Sequence, residues 1–249
     1  MKDVCVVVLA AGKGTRMNGN LPKVLYEIAD KPLIYWPLQL IKHVGLEPAI
    51  VVSGYKAKKV EDIVRGFDFK VNFVRQKKRL GTAHSLSVGL KLVPEDCKTI
   101  LVLYSDDSVL YKPETIINFV KYHKSKKNKA TFLTLERKKP TDIGALKIDN
   151  NGNVIEVMTL SMIIKENLPK HQILCGAFCF DKEWIVKRLP LIQKSNLSCE
   201  YPLPGIIKVA IQENEHVGTY KVVDHNQWRG INSPEDLKEA DRLKMKQLS

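Results

Sequence analysis

Residues 9–25, Leu-Ala-Ala-Gly-Lys-Gly-Thr-Arg-Met-Asn-Gly-Asn-Leu-Pro-Lys-Val-Leu, join a glycine-rich bend to two cations. They follow an apolar run, Val4 to Leu9, that reads as a buried strand. A glycine loop at the carboxyl end of a strand can wrap a phosphate with its backbone N–H groups. Leu9, Ala10, Ala11, Gly12, Gly14 and Thr15 are therefore the candidate nucleotide cradle, with Arg16 and Lys23 supplying positive charge at its far end. A loop of that polarity expects a polyanion such as a nucleoside triphosphate. It is not a Walker A loop, because Gly12-Lys13 is followed by Gly14 and the earlier glycine position holds Val7. It is not the dinucleotide fingerprint either, because Met17 occupies the third glycine position.

The two pieces Leu-Ala-Ala-Gly-Lys-Gly-Thr-Arg-Met and Leu-Pro-Lys-Val-Leu resemble the signature of the sugar-nucleotide pyrophosphorylases. Within that nucleotidyltransferase family, the chain is similar to the N-acetylglucosamine-1-phosphate uridylyltransferase domains along nearly its whole length. The resemblance implies a Rossmann-like α/β fold of the nucleotide-diphospho-sugar transferase type, a mixed, mostly parallel sheet with helices on both faces. It also implies the reaction: a sugar 1-phosphate, N-acetylglucosamine 1-phosphate or a related sugar, attacks the α-phosphorus of a nucleoside triphosphate, UTP above all, and pyrophosphate leaves. The alternatives are the same chemistry with GTP, dTTP or CTP and mannose or glucose 1-phosphate, or a nucleotide-binding module without turnover. Such chemistry asks the protein to align two polyanions and neutralise charge, with Mg²⁺ as the expected cofactor.

The family likeness distributes roles over particular residues. Arg16 and Lys23 would face the triphosphate and the reacting phosphates, and with Asp106 they form the expected catalytic set. Ile100 to Tyr104 reads as an apolar strand, and Asp106 lies just beyond its carboxyl end, where open parallel sheets bind ligands. Mg²⁺ takes one or two protein oxygens; Asp106 is one candidate and Asn232, in Trp228-Arg229-Gly230-Ile231-Asn232, the second. The family has Gly-Asp where this chain has Ser105-Asp106-Asp107, so Asp107 adds a carboxylate.

Gln76 and Leu80-Gly81-Thr82-Ala83-His84 are the base-reading candidates. A glutamine amide can donate and accept at once and so match the imide edge of uracil, and Gly81 permits close approach of the backbone. Thr82 completes the nucleotide set, and His84 reads as a helix-face residue. For the sugar, the candidates are Gly144, Glu200, Thr159 and Leu174. Thr159 and Leu174 stand where acetamido-sugar enzymes carry glutamate and asparagine, which weakens the expectation of an N-acetyl sugar.

The surrounding pattern supplies the elements that must hold these groups. Strands are expected near 4–9, 48–53, 70–74 and 99–104, alternating with helices near 33–44, 56–65, 81–92 and 113–125. Pro37 should delay or kink the first helix. The second half predicts strands at 130–136, 145–149, 154–158, 173–180 and 217–223, with a hairpin around residues 150–153. Helices are expected over 201–212 and from Ser233-Pro234-Glu235-Asp236 to about Lys246, the latter opened by a serine cap, a proline and two acids. A single nucleotidyltransferase domain over 1–249 is expected, residues 1–110 serving mainly the nucleotide and 111–249 mainly the sugar phosphate.

Charge and composition exclude several classes. The net charge of +13 is spread in solvated patches such as Lys56 to Lys59, Lys77 to Arg79 and Lys121 to Lys129, without aromatic interleaving or a nucleic-acid motif. A nucleic-acid partner is not expected. Five scattered cysteines suit buried thiols better than a zinc site. With no long apolar run and no visible leader, a cytoplasmic location is expected. These residues contain no hexapeptide repeats, so a C-terminal β-helix acyltransferase domain and acetyltransferase activity are not expected.

Overall fold

A computed structural model describes residues 1, 3–17, 19–138, 145–149, 153–158, 160–166, 170–196 and 198–249. Its frame is a nine-stranded sheet in which parallel strands predominate. Strand β1 (Val4–Ala10) comes first, then a two-residue hairpin, β2 (Glu27–Ile28) and β3 (Lys31–Pro32). Helix α1 (Tyr35–His43), strand β4 (Ala49–Ser53), helix α2 (Ala57–Arg65) and strand β5 (Val71–Arg75) follow. Helix α3 (Thr82–Gly89) leads to β6 (Thr99–Tyr104), and α4 (Pro113–Ser125) to β7 (Ala130–Arg137). Then come β8 (Ala145–Ile148), β9 (Val154–Met158), α5 (Leu160–Lys165) and β10 (His171–Asp181). The chain continues through α6 (Lys182–Arg188), α7 (Ile206–Gln212), β11 (Val217–Val222) and α8 (Pro234–Leu248).

The main sheet runs β11-β7-β10-β6-β1-β4-β5. β6, β1, β4 and β5 are mutually parallel, β11 is parallel to β7, and β10 alone on this path runs antiparallel to both neighbours. The expected hairpin exists as the antiparallel pair β8–β9, which joins the sheet through β10. Its turn, 150–152, lies outside the described residues.

Alternation within β1 shows why the sheet carries helices on both faces. Val4, Val6, Val8 and Ala10 pack on one side with residues of α1, α2 and α4. Val7 and Leu9 pack on the other with residues of α3, α6 and α7. A strand buried on both faces reads as a continuous apolar run, and the fold expected from the sequence is the one observed.

Boundaries shift where prolines intervene. Pro37 sits in the first turn of α1, where its missing N–H has no helical partner to lose. The helix expected from residue 201 begins only at Ile206, because Pro202 and Pro204 confine 203–205 to a short 3-10 turn. Helix α6, for which the sequence carries no clear signal, is capped by Asp181, whose carboxylate accepts the Trp184 N–H at 2.8 Å. All five cysteines are free. Among the described residues, no helix is long and apolar enough to cross a membrane.

A third apolar cluster ties the last helix to the front of the molecule. Ala240 and Leu243 of α8 pack with Ile28, Leu33, Trp36, Val109, Leu110 and Ile231. Lys244 Nζ donates to the Val109 carbonyl at 3.0 Å and Gln247 to that of Leu110 at 3.1 Å. The segment after β6 is thus fastened to the same helix that Asn232 precedes.

Candidate active site

At the carboxyl edge of β1, β6 and β5 lies an open cleft of about 620 Å³. Its walls include Leu9, Ala11, Gly12, Gly14 and Thr15 from the glycine loop, with Arg16 and Lys23 beyond them. Gln76, Gly81, Thr82, Asp106, Glu200 and Asn232 reach the same space. Ala10 belongs to the strand and is buried in the core. Gly144 and Thr159 lie outside the described residues. Leu174 is turned into the core at 7% exposure, packed in the apolar cluster that contains Phe132 and Phe178, and does not line this cleft. A register shift in β10 between Leu174 and Phe178 breaks the alternation from which its direction would be read.

The glycine loop has the polarity its composition predicts. Among the described residues, no acceptor in the protein takes the backbone N–H of Gly12, Lys13 or Gly14, so these donors are available to an anion. Gly14 has φ +73°, and a Cβ there would lie 2.5 Å from the Lys23 Cβ. The bend and the lysine fit only because this position has no side chain.

Four side chains then converge. Arg16 Nη2 donates to Asn232 Oδ1 at 2.9 Å, Lys23 Nζ donates to the same oxygen at 3.1 Å, and Lys23 also ion-pairs with Asp106 Oδ2. The Lys23 and Asp106 side chains are 12% and 24% exposed. Asp106 is placed by the end of β6, where Ser105 Oγ donates to the Leu9 carbonyl at 2.9 Å and locks β6 to β1. Asn232 is placed by a capping box: Asp236 Oδ2 accepts the N–H of Asn232 at 3.0 Å and of Ser233 at 3.1 Å, and Ser233 Oγ accepts the Asp236 N–H at 3.2 Å.

Two hard oxygens, from Asp106 and Asn232, thus already share one cation, the Lys23 ammonium. A carboxylate and an amide oxygen facing a cleft lined by free amides and cationic side chains fit Mg²⁺, which keeps most of its shell in water and phosphate oxygens. Among the described residues, no group of three or more His, Cys, Asp or Glu side chains gathers to hold a metal. Asp107 sits beside Asp106 with its carboxyl held well above the ordinary range, first by removal from water and then by the neighbouring carboxylate, with Lys23 pulling the other way.

At the far side, Gln76 follows β5. Its N–H donates to the Ser53 carbonyl at 2.8 Å, and the adjoining strand ends are pinned by Glu61, which takes Arg75 at 2.7 Å and Ser53 Oγ at 2.8 Å. Gln76 is 5% exposed. Its Nε2 donates to the Gly81 carbonyl at 3.1 Å and lies 2.8 Å from His84 Nδ1. The amide hydrogens are therefore engaged inside the protein, and the group Gln76 presents is the Oε1 acceptor. The Gly81 backbone is pressed against Tyr201 by the Ala83 N–H to Tyr201 carbonyl bond of 2.9 Å and the reciprocal Tyr201 N–H to Leu80 bond of 2.7 Å. Thr82 Oγ1 accepts the Leu203 N–H at 2.8 Å.

Several lining groups had no signal in the motif reading. Lys13, Lys56 and Arg79 surround the Tyr55 ring at 5.5–5.7 Å, and Lys13 and Arg79 reach the cleft as a cationic rim. Ser85 and Tyr104 also line it. Ser85 is one helical turn beyond Thr82, and that spacing was the available clue.

The family model described as Nucleotidyl transferase matches residues 5–247. The chain is 32% identical over 244 residues to the bifunctional protein GlmU of Listeria monocytogenes serotype 4b (strain CLIP80459), covering 98% of this chain and 52% of that protein. It is 30% identical over 243 residues to the bifunctional protein GlmU of Acetivibrio thermocellus, with the same coverage of 98% and 52%. The chain spans about half the length of these curated relatives. Among solved structures, a UDP-glucose pyrophosphorylase complexed with UDP-glucose superposes with a TM-score of 0.80 at 18% identity, over 97% of this chain and 98% of that one. A putative glucose-1-phosphate thymidylyltransferase from Bacillus anthracis gives a TM-score of 0.76 at 18% identity, over 97% and 95%. A glycine loop with free amides, two cations and a paired acid and amide, on a chain matched by the family model almost from end to end, belong to one lineage: this chain is a member of the Nucleotidyl transferase family.

Proposed function

We propose that the chain transfers a uridylyl group from UTP to a sugar 1-phosphate, N-acetylglucosamine 1-phosphate or a sugar related to it, and releases pyrophosphate. The observation that carries this reading is the meeting of Lys23, Asp106 and Asn232 beside the free amides of the glycine loop. A phosphate oxygen of the sugar 1-phosphate attacks the α-phosphorus. The bond from that phosphorus to the bridging oxygen breaks, and its electron pair leaves on pyrophosphate. The attacking oxygen is already ionised, so no general base is required, and His84 remains bound up with Gln76.

The residues act by position and charge. The amides of Gly12, Lys13 and Gly14 cradle the phosphates, and Arg16 and Lys23 neutralise them. Asp106 and Asn232 would hold Mg²⁺, which when bound screens the triphosphate and favours departure of pyrophosphate. The Gln76 carbonyl accepts the N3–H of uracil, a hydrogen that cytosine lacks.

A pyrophosphate-release assay over the four nucleoside triphosphates and a panel of sugar 1-phosphates tests the reading. Turnover with UTP above the other nucleotides is expected; no pyrophosphate from any pair rejects it. Gln76→Ala is expected to lower discrimination between UTP and CTP by about 10- to 100-fold, because a buried acceptor no longer reads the imide. Unaltered selectivity in that variant removes Gln76 from the base site.

A further inference from the structure

Which group Gln76 shows to a base is decided behind it, in the first turn of α3. The Gly81 carbonyl accepts the Ser85 N–H at 3.0 Å and Gln76 Nε2 at 3.1 Å. A carbonyl can only accept, so the nitrogen of the Gln76 amide lies on that side. His84 Nδ1 stands 2.8 Å from the same nitrogen. Facing a donor, Nδ1 presents its lone pair, which puts the ring hydrogen of the neutral imidazole on Nε2. Both hydrogens of the amide then have acceptors, and the shorter contact is the one to His84. Turning the amide over would set Oε1 against the Gly81 oxygen and the Nδ1 lone pair, an acceptor against two acceptors. Gln76 is buried, so water does not relieve that mismatch.

His84 does this from outside the nucleotide cleft. Gln76 lines the cleft, whereas the His84 ring lines a separate groove of about 550 Å³ with Ala83, Leu90, Leu189 and Tyr201. The frame between them is stiff. Gly81 has φ +102°, and a Cβ there would lie 2.6 Å from the Tyr201 carbonyl oxygen, so this turn packs backbone against backbone. Pyrimidines differ at the position the amide faces: uracil carries a hydrogen on N3 and cytosine a lone pair. An amide held with Oε1 outward accepts from the first and repels the second.

Resting on the transferase reading above, we propose that His84 sets the base selectivity of the site. As a hydrogen-bond acceptor it holds Gln76 with Oε1 toward the base, and so admits a pyrimidine with N3–H and disfavours cytosine. It is a positioning residue, acting through Gln76 without touching the nucleotide.

The test measures by calorimetry the affinities of UTP and of CTP, each with Mg²⁺, for the unaltered protein, His84→Phe and His84→Asn. Phe keeps the ring's size, suits the apolar groove and loses the acceptor. Asn places Oδ1 as many bonds from the backbone as Nδ1 and keeps an acceptor. The unaltered protein is expected to favour UTP. In His84→Phe the ratio of the two affinities should fall about tenfold, because one buried amide hydrogen is left unpaired and the amide is freer to turn. The loss should lie in UTP, with CTP bound as well as before or better. His84→Asn should restore the ratio to within about threefold. A merely structural role would weaken both nucleotides together. An unchanged ratio in His84→Phe, a parallel loss of both nucleotides, or no recovery in His84→Asn overturns the assignment. Equal affinity of the unaltered protein for UTP and CTP removes the base site at Gln76, and His84 with it. Pyrophosphate release by the unaltered protein separates this role from the transferase reading. The expected affinity changes without release from any sugar 1-phosphate retain His84 and reject transfer. Release from UTP with an unchanged ratio in His84→Phe retains transfer and rejects His84.

Discussion

Replacing Asp106 with alanine is expected to reduce pyrophosphate release by about 10³-fold or more while the fold survives. The expected loss is at the top of the range for removing one electrostatic contact to a developing charge, because Asp106 carries two tasks. It is the only carboxylate proposed to hold Mg²⁺, and it fixes Lys23, whose ammonium it shares with Asn232. Stability should change far less. The pair opens onto the cleft, with side chains 12% and 24% exposed, and without Asp106 the Lys23 ammonium keeps the Asn232 oxygen as a partner. Its loss is partly offset by relief of repulsion with Asp107, whose carboxyl is held above its ordinary range in part by Asp106. A melting shift of about 2–4 °C is therefore the ceiling. The check is a pyrophosphate assay beside a circular-dichroism melt, and near-native turnover in the variant would remove Asp106 from the chemistry.

Gly14→Ala should be the most damaging single change in the loop. The added methyl meets two obstacles: a backbone at φ +73°, and the Lys23 Cβ only 2.5 Å away with its Cα at 3.3 Å. The left-handed conformation alone disfavours alanine by about 1–2 kcal/mol. The contact with Lys23 is the functional part, because relief requires that lysine's backbone to shift, and misplacement by about 1 Å can reduce rate about 10²-fold. Gly45→Ala separates the two effects. Gly45 has φ +68° with nothing within 4 Å of a new Cβ, so it should lose comparable stability and keep its turnover. Equal activity losses in both variants would show that strain, and not the position of Lys23, accounts for the result.

How far the fold is legible depends on whether local pattern and tertiary contact agree. The loop after β1, the parallel strands β4, β5 and β6, and the cap before α8 follow from apolar runs, glycines and a Ser-Pro start, all signals carried within a few residues. The pairing of Asp106 with Asn232 was visible only through the family likeness, since 125 residues intervene and no local rule links them. The reversed direction of β10 has no counterpart in its sequence, because an apolar strand looks alike from either end. Leu174 illustrates the opposite limit: its neighbours suggested a pocket position, but the register shift in β10 sends the side chain inward. Ser85 and Tyr104 carry no motif at all. They come to the cleft only once the strand and the helix that carry them are placed side by side.

The capping box at Ser233 has a consequence for the order in which the protein becomes competent during synthesis. Asn232 is oriented by Asp236, and α8 is seated by Ala240 and Leu243 against residues from the front of the chain. A ribosome-bound chain that has extruded only as far as β11 already owns its glycine loop, Arg16, Lys23 and Asp106, yet Lys23 has only one of its two oxygen partners. The seating of residues 234–248 is thus what holds the second oxygen, from Asn232, against a lysine that already faces the glycine loop.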